Sequence, residues 1–143
     1  MSSINFCDVA EAFSPICQSV TIADCLEPDM PIIYVNKGFE HFSGYTREEI
    51  IGRNCRWLQG DTKDQNSIRI MREAIAQKST CIVDVINYKK DGSRIINRLS
   101  LLPVFNNNKN LRYYIGLQSN ISALKEIERK ILEHMSLKFL SVA

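Results

Sequence analysis

At 143 residues, with 45% hydrophobic and 24% charged residues and a formal net charge of +2, the chain has the size and balance of one globular domain. Near-neutrality without a basic run offers no electrostatic footprint for nucleic acid, and no stretch of about 18 apolar residues is present to span a membrane. Five cysteines, an odd number without a CxxC pair, and only two histidines argue against a disulfide framework, a zinc site or a histidine-based triad, and suit reduced thiols in a cytoplasmic protein.

The start of the chain carries Asp8 and no basic cluster ahead of an apolar run, so it does not read as a secretory signal. Ile4, Ala10, Phe13, Cys17 and Val20 fall at mostly helical spacings, which predicts a flanking helix within residues 1–18. From Ser19 to Asp24 the pattern becomes β-branched alternation. Pro28-Asp29-Met30-Pro31 then marks a turn, and Ile32-Ile33-Tyr34-Val35 completes a hairpin. Between Asn36 and Gln77 the chain is helical in short pieces. Thr46 and Glu49 form a capping box in which each side chain satisfies the other's free backbone donor, and Gly52 is placed to stop that helix. From Asp64 to Gln77 the residues Ile68, Met71, Ala74 and Ile75 share one side of an amphipathic helix.

Three long runs rich in Ile, Val, Leu and Tyr follow: Cys81–Lys89, Ser93–Phe105 and Leu111–Ile121. They are joined by Lys90-Asp91-Gly92 and by Asn106 to Asn110, both good hairpin chemistry. Two strands, short helices and three strands predict an α+β fold. Its five-stranded antiparallel sheet is covered by short helices on one face, with room for a cavity between the layers. The predicted core spans residues 19–120. In the last segment, 121–143, helical spacing returns through Ile121, Leu124, Ile127, Ile131, Met135 and Phe139. A lone helix of this length is marginal in water, so it must pack on the sheet or on a second copy of itself.

The segment Gly52-Arg53-Asn54-Cys55-Arg56-Trp57-Leu58-Gln59-Gly60 closely resembles the signature of LOV domains, the blue-light-sensing branch of the PAS superfamily, with Trp57 where Phe is usual. The resemblance extends over roughly residues 20–120. It includes Pro28 to Tyr34, Ser43-Gly44-Tyr45 with Arg47-Glu48-Glu49, Asn87 to Ser93, and Tyr114-Ile115-Gly116-Leu117-Gln118. It implies a PAS-like sheet with flanking N- and C-terminal helices, and a noncovalently bound FMN. Under blue light the Cys55 sulfur bonds to carbon C4a of the flavin, and the bond breaks again in darkness. Arg56 and Arg72 match the arginines that clasp the phosphate, where a planar guanidinium grips two oxygens. At two further clasp positions this chain has Lys63 and Ile68; Ile68 cannot serve, which implies weaker flavin retention and faster dark recovery. Asn87 and Asn97 match the asparagines on the ring's polar edge. Gln118 matches the glutamine facing O4 and N5, whose amide can rotate and pass a change into the sheet. Asn54 and Gln59 are expected beside the ring or ribityl chain, and Leu99 and Leu101 against the ring.

A free cysteine is ordinarily a small buried apolar residue, and Cys7, Cys17, Cys25 and Cys81 keep that reading. Nothing after residue 140 reads as a kinase or DNA-binding sequence, so the resemblance implies a receptor signalling through its terminal helices to an unidentified downstream protein; the apolar stripe of residues 121–139, long and beginning directly after the strand carrying Gln118, favours a parallel homodimer seam over packing on the sheet. The resemblance implies neither nucleic acid, membrane nor enzymatic turnover. Alternatives are a PAS-class flavin redox sensor, a light-independent interaction module and a flavoenzyme; for the last, no substrate-activating acid, base or nicotinamide fingerprint is visible.

Overall fold

The computed structural model describes residues 4–15, 17–62 and 65–142, the last six of these by backbone alone. Five strands, β1 (Ser19–Asp24), β2 (Ile32–Val35), β3 (Cys81–Tyr88), β4 (Arg94–Phe105) and β5 (Leu111–Asn120), form one antiparallel sheet in the order β2-β1-β5-β4-β3. The predicted α+β architecture is the observed one. All three hairpins form where turn chemistry placed them. The last strand inserts between β1 and β4, so the two halves of the sheet meet along β5.

Because side chains alternate along a strand, the sheet has two distinct faces. On the outer face Val20, Ile22, Ile115 and Leu117 pack with Ala10 of α1 (Phe6–Phe13), with Phe6, Phe13 and Tyr113 around them. Asn5 caps that helix by accepting from the backbone N–H groups of Cys7 and Asp8. The inner face is covered by α2 (Lys37–Ser43), α3 (Arg47–Ile50), a 3-10 helix (Cys55–Gln59) and α4 (Asn66–Ala76). Their apolar sides split the inner core into two clusters. One lies around Phe39, Ile50 and Leu58, the other around Ile68, Met71, Val83 and Val85.

Asparagine and glutamine side chains tie these helices to the sheet. Asn36 accepts from the Val20 N–H at 2.9 Å and donates to the Gln18 carbonyl at 2.8 Å, which joins α2 to β1. Gln65 makes a two-sided pair with Ile86, accepting its N–H at 2.7 Å and donating to its carbonyl at 3.1 Å, and so holds the start of α4 on β3. The capping box of α3 is present as read from the sequence.

The final helix, α5 (Ser122–Val142), is rooted on β4: Ile121 N–H donates to the Ile96 carbonyl at 2.9 Å, and the Ile96 N–H donates to Ser122 Oγ at 2.9 Å. Asp84 of β3 pairs with Arg98 at 2.9 Å and with Lys125 at 3.5 Å, adding a charged contact at that root. Farther along, Leu124, Ile127, Ile131, Leu132 and Met135 are exposed, so the stripe does not fold back on the sheet.

Candidate functional site

Between the sheet and its helices lies a cavity of about 270 Å³. A more open cleft of about 570 Å³ beside α1, lined by Cys7, Glu11, Arg47 and Glu48 among others, has no comparable set of buried amides. Every candidate residue from the sequence that falls in the described region lines the inner cavity: Asn54, Cys55, Arg56, Gln59, Arg72, Asn87, Asn97, Leu99, Leu101 and Gln118. Lys63 lies outside the described residues. The cavity size is near the lower end of ordinary ligand sites, roughly 300 Å³.

The 3-10 helix presents Cys55. Asn54 caps it, its Oδ1 accepting from the Arg56 N–H at 3.0 Å while its Nδ2 donates to the Asp29 carbonyl at 2.7 Å. Backbone bonds Gly52 N–H to Ile32 O (2.9 Å) and Ile32 N–H to Arg53 O (2.8 Å) fasten the segment to β2. Gly60 ends it with φ 55°, and a Cβ there would stand 2.8 Å from the Tyr88 ring, so glycine is required on both counts. Trp57 packs edge-on to Tyr45 at 5.7 Å, but its indole N–H is buried without an acceptor among the described residues. The aromatic surface at this position is used, and its polar atom is not.

Burial pushes the Cys55 thiol up to about 12, with a backbone hydrogen bond pulling weakly the other way. The residue keeps some accessible surface because it borders the cavity. It is therefore a protonated thiol at neutral pH, without the depressed pKa of a cysteine that attacks in the ground state.

The polar end of the cavity is built by strands. Asn97, 2% exposed, donates from Nδ2 to Asn87 Oδ1 at 3.0 Å, and Asn87 donates to the Ile86 carbonyl at 3.0 Å. Asn97 Oδ1 is buried with no partner among the described residues. A buried amide carbonyl left unpaired costs about 1–3 kcal/mol, and this one sits on a residue that lines the cavity, where a bound group with a donor would relieve that cost. Gln118 is turned by β1: Ser19 Oγ donates to its Oε1 at 2.8 Å, and its Nε2 donates to Thr21 Oγ1 at 2.9 Å. Leu99 and Leu101 of β4, Val85 of β3 and Ile68 of α4 supply apolar walls, while Arg56 and Arg72 are exposed at the rim. Arg56 forms an ion pair with Asp29, which raises its own pKa and lowers that of Asp29.

The donor set fits a flat heterocycle with a polar edge and an anionic tail: amides at one end, aliphatic faces, a thiol on the 3-10 helix and two guanidinium groups at the rim. Sequence reasoning missed Thr21, Tyr114 and Gly116, which also line the cavity. The signal for Thr21 was the run Ser19, Thr21, Ala23 opposite Val20 and Ile22. Small and polar residues in alternation read equally well as a solvent face until the covering helices are known.

Sheet order, helical cover and inter-layer cavity together define a PAS domain, and the PAS domain family model matches residues 19–123. The blue-light photoreceptor of Listeria monocytogenes is 39% identical over 118 residues, covering 80% of this chain and 46% of that protein. Among solved structures, the light state of the blue-light photoreceptor Aureochrome1 LOV superposes with a TM-score of 0.74 at 30% identity, covering 90% of this chain and 98% of that one. The light-state dimer of the fungal blue-light photoreceptor Vivid superposes with a TM-score of 0.67 at 33% identity, over 71% of this chain and 76% of that one. The chain belongs to the LOV family of PAS domains. It spans between 31% and 46% of the length of the first curated blue-light receptors and blue-light-activated kinases it matches. Among the described residues no helix is long and apolar enough to cross a membrane.

Proposed function

We propose that this chain is a blue-light photoreceptor that holds FMN in the inner cavity, and that its Cys55 sulfur bonds reversibly to the flavin ring on illumination. One observation carries the reading: a buried thiol and three strand amides border a single cavity, and the Asn97 amide oxygen lacks a partner among the described residues. When bound, the flavin supplies blue-light absorption, a ring carbon open to a thiol in the excited state, and a ring nitrogen whose hydrogen-bonding sense reverses on protonation.

The chain's own groups divide the remaining work. Cys55 is held protonated in darkness by burial, so it brings both sulfur and proton to the site and needs no separate base. Asn97 Oδ1 accepts from the ring edge while Asn87 completes the amide pair. Leu99 and Leu101 exclude water from the ring faces. Asn54 and Gln59 line the approach, though the polar atoms of Asn54 are already engaged in capping and in the bond to Asp29. Arg56, Arg72 and Lys63 serve the phosphate, Arg56 after exchanging Asp29 for the anion. Gln118 passes the change to β1 and β5.

In this reading the core of residues 19–120 is flanked by helices that carry the output. The stripe Leu124, Ile127, Ile131 and Met135 repeats at three and four residues, the spacing of a parallel two-helix seam, and favours a homodimer. No substrate is turned over. Five cysteines, all free, suit a reducing compartment such as the cytoplasm. Absorption spectra before, during and after blue illumination test the proposal. Yellow protein that bleaches and recovers supports it. Colourless protein favours an interaction module, and yellow protein indifferent to light favours a redox reader.

A further inference from the structure

We propose that Ser19 and Thr21 are positioning residues for Gln118: a two-hydroxyl clamp that fixes which end of its amide faces the cavity and allows the amide to reverse without losing a hydrogen bond. The inference rests on the reading that Gln118 faces the flavin.

Ser19 and Thr21 stand two residues apart on one face of β1, and strand register sets Ser19 opposite Gln118 and Thr21 opposite Gly116. All three side chains are buried. In the observed arrangement Ser19 Oγ donates to Oε1 at 2.8 Å and Nε2 donates to Thr21 Oγ1 at 2.9 Å. Among the described residues neither hydroxyl has another partner. An amide has a donor-only end and an acceptor-only end, whereas a hydroxyl both donates and accepts. If the amide turns over, Ser19 accepts from Nε2 and Thr21 donates to Oε1. Two bonds exist before and two after, which is the condition for a buried amide to hold either orientation at similar cost. Thr21 and Gln118 line the cavity and Ser19 does not, so reversal replaces nitrogen by oxygen on the cavity side.

Two neighbours leave the clamp free to work. A Cβ on Gly116 would come to 2.4 Å from Thr21 Oγ1 and 2.9 Å from Gln118 Nε2, so only glycine leaves room for this pair. The Cys17 thiol donates to the Gln118 backbone carbonyl at 2.8 Å, which fixes the main chain while the side chain turns.

Infrared spectroscopy of protein carrying side-chain carbonyl-labelled glutamine reads each bond separately, the Gln118 band being assigned by its loss in Gln118→Leu. Ser19→Ala is expected to move the Gln118 carbonyl stretch to higher frequency in darkness and leave the illuminated band in place. Thr21→Val is expected to do the reverse, and Gly116→Ala to copy Thr21→Val. Ser19→Thr and Thr21→Ser, which keep the hydroxyls, restore the parent bands. Variants that shift both states alike, or neither, overturn the clamp. Flavin-free protein supplies an independent reading, since Ser19→Ala must raise the dark band there as well. A parent protein that takes up no flavin or fails to bleach overturns the photoreceptor reading instead, and that dark-band test still decides the clamp.

Discussion

Replacing Asn87 and Asn97 together by leucine should weaken flavin binding while leaving the stability of flavin-free protein unchanged or slightly raised. Without flavin, the double variant loses the Asn97–Asn87 bond and the Asn87 bond to the Ile86 carbonyl, the latter oxygen keeping Gln65 as a donor. Each lost bond is worth about 1 kcal/mol net, while the unpaired Asn97 oxygen that disappears was costing about 1–3 kcal/mol. The sum lies near zero or favours the variant, and buried leucine adds apolar area besides. With flavin, the same change strips the ring's polar edge of two or three partners. At about 1 kcal/mol each, plus the cost of stranding ring atoms, the loss is about 3 kcal/mol, roughly 100-fold in Kd. Urea unfolding of flavin-free protein and fluorescence titration with FMN read the two numbers. A variant destabilised by more than about 2 kcal/mol without flavin, yet binding FMN within threefold of the parent, would show that the amides serve the sheet and not a ligand.

Three further outcomes follow from the same geometry. The Cys55 thiol is raised to about 12 by burial, so its contribution to stability is complete below about pH 8.5 and is lost as pH climbs toward the folded value. Parent protein should therefore lose stability above that pH more steeply than Cys55→Ala, by up to about 1.4 kcal/mol per pH unit in urea melts, and equal slopes would refute the assignment. Asp29→Asn should free Arg56 from its ion pair and improve FMN binding relative to riboflavin several-fold at low salt, an advantage that fades as salt rises; an unchanged ratio would mean that Arg56 does not reach the phosphate. Ile127→Glu with Ile131→Glu, both on the exposed stripe of α5, should lower the mass measured by light scattering from dimer to monomer while leaving the absorption spectrum unchanged. A parent protein that is monomeric throughout would remove the seam.

The sheet and its hairpins were legible because their signals are local. Strand alternation, Pro28 to Pro31, Lys90-Asp91-Gly92 and the Asn106–Asn110 loop each state their own conformation, and the observed strands begin and end within a residue or two of those marks. Cavity residues on β3, β4 and β5 were visible through the resemblance, since an inward-facing amide on a strand needs a partner. Less visible were contacts fixed by register between distant segments. Ser19 against Gln118, Gly116 against Thr21, and Gln65 on Ile86 depend on which strands are neighbours, and β5 reaches β1 across about ninety residues of chain. For α5 the stripe pointed to a dimer seam, but an amphipathic stripe states only that a partner exists; that the helix stands clear of the sheet came from the exposure of Leu124, Ile127, Ile131 and Met135. Asp29 beside Arg56 went unread for the same reason: the two are 27 positions apart and meet through the turn at Met30.

The photochemical role of Cys55 is decided by one comparison, absorption spectra of the parent protein and of Cys55→Ala under blue light. The parent should lose its blue absorption band and regain it in darkness. The variant should stay yellow, keep its fluorescence and show no bleaching. Reversible bleaching of equal extent in Cys55→Ala would mean that some other group reacts, and that the buried thiol is only part of the packing.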